Sequence, residues 1–144
     1  MNLPQYITTE EVQRVCRELG IRDWTSLTEA AVTVEEAQII QTAVGAEATE
    51  VTADEFCLGL EVELEHGLQF PDANVTNNHP LLTGKIVLAH LKETLDYYLR
   101  LDVAELEGDI LKGLSKGDLA KVAEKYRKLV HARVALSLSE ASHL

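Results

Sequence analysis

The chain has almost no strand-like alternation, no long apolar run and very little cysteine, and each absence removes a class of protein. No apolar stretch approaches the roughly 20 residues needed to cross a bilayer, so no membrane partner is expected. The opening "MNLPQYITTEE" lacks a basic stretch followed by an apolar one, so no secretory signal is expected there. Two cysteines occur in 144 residues. Cys16 and Cys57 lie far apart in helical patterns and form no Cys-x-x-Cys pair, which argues against a zinc knuckle or redox motif. They read as reduced core residues of a cytoplasmic protein. A glycine-rich phosphate loop, a nucleophile elbow and a cysteine nucleophile are also missing, which makes an enzyme the less favoured reading.

Charge is abundant and uneven. The net charge is −11, with 21 acids and 6 bases in residues 1–111 but 3 acids and 7 bases in residues 112–144. An acidic body disfavours phosphate-backbone binding as the main task. The basic C-terminal lysines space as the solvated face of a helix, so nucleic acid is an unlikely partner. A second copy of the chain, or another protein, remains open as a partner.

Three helix starts share one grammar. "TTEE", "TVEE" and "TADE" place Thr8, Thr33 and Thr52 three residues before Glu11, Glu36 and Glu55, the capping-box spacing. The expected fold is all-α, a compact bundle of about five helices in a single domain of residues 1–144. Helix one covers about 9–19 and helix two about 34–44, within an N-terminal helical module of residues 1–50. A short turn in "IRDWTSL" tucks Trp24 into the core. Helix three runs from about 53 to Gly67. Pro80 opens a long helix to about 107, making residues 52–107 a long-loop hairpin. "ILKGLSKG" breaks the pattern. A C-terminal helix within 115–138 is expected to bury Leu119, Val122, Tyr126, Leu129 and Val130.

One carboxylate is out of place. At ~100° per residue, Phe56, Gly59, Leu60 and Leu64 share a face of helix three, and Glu63 falls in its middle. Glu61 and Glu65 point outward, and His66 lies on the border. On the long helix, Ile86, His90, Thr94, Tyr97 and Leu101 share a stripe, with Glu93 at its edge. Burying an unpaired carboxylate costs several kcal/mol, so Glu63 needs a protein donor such as His90, Tyr97 or Tyr98, or a metal ion. Glu-x-x-His at i, i+3 is the spacing by which helical bundles offer ligands to metal. Glu63, His66, His90 and Glu93 together would suit one zinc, iron or manganese ion. A Glu–His–Tyr network that locks two helices is the favoured alternative, ahead of a metal site and of proton-transfer catalysis. Asn74, Thr76, Asn77 and Asn78 read as loop chemistry and a helix cap, and His131 and His143 as solvated.

Residues 56–101 resemble a bacterial and phage family of unknown function, the DUF5661 type. Its pattern joins a phenylalanine and glycine to "VE-x-EHG", then "NVT-x-DDP", then "TGKIALAHL-x-E-x-PDYY-x-L". The chain matches with Phe56, Gly59, Val62, Glu63, Glu65, His66 and Gly67, then Asn74, Val75, Thr76 and Pro80. Thr83, Gly84, Lys85, Ile86, His90, Leu91, Glu93, Asp96, Tyr97, Tyr98 and Leu101 complete the match. It departs at Asn78 and His79, where the family has aspartates, and at Leu95, where it has proline. The lost aspartate weakens any calcium or magnesium role for the loop. The resemblance implies no activity, and it selects the same Glu63, His66, His90 and Glu93. The resulting function is a helical protein with a polar junction, structural or metal-loaded. A metal-dependent enzyme at that junction and an acidic adaptor are the alternatives.

Overall fold

A computed structural model describes residues 7–46 and 51–142; His143 lies outside them. Among the described residues every regular element is helical, with six helices where five were expected. The chain divides into two compact units, residues 1–95 and 96–144.

The first unit holds α1 (Thr9–Leu19), α2 (Val34–Ala43), α3 (Ala53–Gln69) and α4 (Pro80–Glu93). Each of the first three starts at the expected threonine. Thr8 accepts from the Glu11 N–H, and Thr33–Glu36 and Thr52–Glu55 are full capping boxes. Gly20 ends α1 at φ 70°, which lets its N–H reach the Arg17 carbonyl and the Ile21 N–H the Cys16 carbonyl. A 3-10 turn over Trp24–Ser26 then places the Trp24 ring out of contact with solvent. α3 packs on both α2 and α4, around a core that includes Val12, Ile40, Phe56, Leu60, Leu64 and Val87. Both cysteines are free and buried. Burial raises the Cys57 thiol pKa to about 11, helped by the Glu61, Asp54 and Glu36 carboxylates, so it stays an inert thiol.

The expected long helix over 80–107 is two helices. α4 ends at Glu93, and Thr94 takes an extended conformation, φ −159° and ψ 139°. α5 (Tyr97–Ser115) starts anew in the second unit. Thr94 thus adopts the backbone that a following proline would force, although Leu95 occupies that place.

The break expected at "ILKGLSKG" comes later than its first glycine. α5 continues through Gly113, and the turn falls at Gly117, φ 69°. α6 (Leu119–Ser142) pairs with α5 through Leu106, Leu129 and Ala132, with Val103 and Ile110 packed alongside. Of the five residues expected to be buried on α6, only Leu129 is; Val122 is half-buried, and Leu119, Tyr126 and Val130 are exposed. The sequence carries two apolar stripes on this helix, and α5 covers the other one.

At the start of α4, Pro80 supplies the first-turn φ, and the buried His79 is the cap. Its Nδ1 accepts from the Leu82 N–H at 3.4 Å. Only an imidazole unprotonated at Nδ1 can accept. Burial holds the His79 pKa below its ordinary 6.5, against the pull of the Glu11 carboxylate. Unfolding therefore takes up a proton below pH 6.5, and the stability His79 contributes is present above that pH and lost as pH falls through its folded value. A urea midpoint that drops between pH 7.5 and about 5 in the natural chain should drop less in His79→Asn, which caps without titrating. Equal losses in the two proteins would remove His79 as the cause.

Candidate functional site at the junction of α3 and α4

Glu63 and His90 are brought together. The third and fourth turns of α3 present Glu63 toward α4, and His90 Nδ1 stands 3.1 Å from Glu63 Oε1. The side chains keep 14% and 28% of their surface, so the contact is largely but not fully withdrawn from water. His66, one turn further along α3, is half exposed, with Nδ1 3.9 Å from Glu63 Oε2. That is beyond hydrogen-bond reach. Glu93 is exposed on the last residue of α4. Tyr97 and Tyr98 stand in the first turn of α5, in the second unit, with ring centroids 5.2 Å apart edge to face. Among the described residues no group of three His, Cys, Asp or Glu side chains is placed to hold a metal ion.

Glu63 and His66 line a pocket of about 180 Å³ with Gly67, Phe70, Asn74, Val75, Thr76 and Ile86. Its loop wall is made by asparagines. Asn74 Nδ2 donates to the Gly67 carbonyl at 3.2 Å and to Asn78 Oδ1 at 2.8 Å, and Thr76 Oγ1 donates to Asn74 Oδ1. Asn77 and Asn78 hold φ 49° and 55°, a left-handed pair that asparagine tolerates. A Cβ at position 67 would lie 2.1 Å from Asn78 Oδ1, so Gly67 is the seat on which the loop rests.

Other matched residues have plain packing duties. Lys85 Nζ donates to the Val44 carbonyl at 2.6 Å and so closes the end of α2. Gly84 lets α4 approach Ile40 and Val44. The reading of Glu61 as outward needs correction. Its Oε1 accepts from the Val32 N–H at 3.0 Å, anchoring the segment that leads into α2. Sequence reasoning also passed over Glu36, which is buried and accepts from the backbone N–H groups of Arg22 and Thr33 and from the Arg22 guanidinium. Its capping-box spacing was visible in the sequence; the arginine, fourteen residues earlier, was not.

No helix among the described residues is long and apolar enough to cross a membrane. No curated protein and no solved structure matches the chain. The family model described as "Protein of unknown function (DUF5661)" matches residues 12–107, extending the likeness to α1 and α2 and stopping short of α6. The chain belongs to the DUF5661 family.

Proposed function

We propose that the junction of α3 and α4 is structural: Glu63 and His90 hold two helices of a non-enzymatic module in one register. The observation that carries this reading is the 3.1 Å approach of His90 to Glu63, while Glu93 is exposed. Pairing with an imidazole offsets the cost of withdrawing the carboxylate from water, and it needs no ion.

The test is a double-mutant cycle. Glu63→Ala and His90→Ala should each cost about 2 kcal/mol in urea unfolding, and the double variant less than their sum. Glu65→Ala, on an exposed carboxylate, should cost under about 0.5 kcal/mol. Protein purified without an affinity tag should keep its Tm in zinc, iron(II) or manganese. A Tm that rises with free metal, and no longer does so in His90→Ala, would replace the structural clamp with a metal site built on Glu63, His66 and His90.

A second reading, an interaction protein, is favoured by one separate observation, the exposed apolar face of α6.

A further inference from the structure

α6 is apolar on two faces, and α5 needs only one. Leu129 and Ala132 are buried against α5. Arg133–Glu107, Arg100–Glu140 and Lys125–Asp109, each at 2.7 Å, tie the two helices together and engage charges along α6. The second face carries Leu119, Tyr126, Val130, Val134 and Leu138, which are between 44% and 70% exposed. At ~100° per residue these five fall within one sector of about 120° along the helix, which Ser137 and Arg127 also enter. A contiguous apolar patch of several hundred Å² marks an interaction site in a water-facing protein.

We infer that this face is a dimer interface, and that its occupant is the α6 of a second copy, running antiparallel about Val130. The inference rests on the interaction reading alone and is independent of the Glu63–His90 clamp. The stripe is complementary to itself when reversed. Val130 lies at the middle of α6, so a two-fold axis there sets Val130 against its own copy. Tyr126 then faces Val134, and Leu119 faces Ala141. Each larger side chain meets a smaller one, as an isologous interface requires for interdigitation. The five side chains offer on the order of 500 Å² per copy, and with their rim they reach the low end of a specific interface, about 1,200 Å² in total. Two hairpins joined in this way form a four-helix arrangement in which α6 is covered on both apolar faces.

The experiment uses the full chain and sedimentation equilibrium. The natural protein should sediment at twice 15.9 kDa. Val130→Glu sets two carboxylates against each other on the axis and should weaken association at least about 100-fold, with unchanged helical circular dichroism. Lys128→Glu, on the same helix but off the stripe, should remain dimeric. Cross-linking keeps the inference testable if Val130→Glu fails to fold. The native cysteines are buried, so Val130→Cys should form a disulfide-linked dimer on mild oxidation. Leu119→Cys should not, because the reversed order sets the two positions roughly 33 Å apart. Three results would overturn the inference. One is a natural chain that stays monomeric up to about 1 mM. Another is a Leu119→Cys protein that links as readily as Val130→Cys. The third is a monomer whose α6 gains exchange protection on anionic vesicles, which assigns the face to a lipid surface. None of these would touch the Glu63–His90 cycle, whose failure would equally leave the dimer standing.

Discussion

A Glu36→Ala protein is expected to lose about 3 kcal/mol of stability, read as a lower urea midpoint, although no catalytic or binding role attaches to the residue. Glu36 is 6% exposed. Its Oε1 accepts from the Arg22 N–H at 3.1 Å and from Arg22 Nε at 2.9 Å, and its Oε2 accepts from the Thr33 N–H at 3.1 Å. Truncation leaves two backbone donors and a guanidinium unserved at once. The cost sits at the low end for a broken buried pair because Arg22 is half exposed and keeps its bond to the Ala31 carbonyl. Burial pushes the Glu36 pKa upward, but the bonds from Arg22 and from the Thr33 and Arg22 N–H groups outweigh it and leave the carboxyl below its ordinary 4.5. The unfolded chain then binds the proton first. The contribution of Glu36 is complete above pH 4.5 and is lost as pH falls through the lower folded value. Glu36→Gln should therefore unfold more easily at pH 7 and show a shallower acid limb. A Glu36→Ala chain with the natural urea midpoint would show that these bonds contribute nothing net.

Gly84→Val should cost a similar amount, about 3 kcal/mol, for the opposite reason: too much side chain in place of too little. A Cβ at position 84 would lie 2.7 Å from Ile40 Cγ2 and 3.1 Å from Val44 Cγ1. Ile40 is fully buried, and its Cγ2 branches from Cβ, so the methyl has no free torsion by which to swing aside. Either α2 and α4 separate or Ile40 leaves its rotamer, and separation also stretches the bond from Lys85 to the Val44 carbonyl. Gly84→Ala recovers about 1 kcal/mol of helix propensity and should be clearly milder. Gly108→Ala is the control. Nothing lies within 4 Å of a Cβ there, so it should be neutral or stabilising by up to about 1 kcal/mol. Thermal melts of the three variants in the order Gly108→Ala, Gly84→Ala, Gly84→Val, from highest to lowest, are the expected result. A Gly84→Val protein that melts with the natural chain would mean that α2 and α4 do not meet at this glycine.

The sequence by itself determined whatever depends on neighbours within about four residues. Thr8, Thr33 and Thr52 begin helices because a hydroxyl can reach an N–H three residues on, and Gly20 ends one because it tolerates a positive φ. The helical class followed, and so did the face of α3 on which Glu63 sits. Tertiary structure decided what depends on which partner arrives. Periodicity ranks residues around a helix axis, but it does not say which neighbour covers a given side. Hence Glu61, read as outward, is held by the Val32 N–H from 29 residues away. On α6 both apolar stripes have helical spacing, and only the arrival of α5 selects Leu129 over Leu119, Tyr126 and Val130. The break at Thr94 lacks any local glycine or proline. A wheel drawn through it put His90 and Tyr97 on one stripe, whereas the change of backbone between them ends the register that a stripe requires.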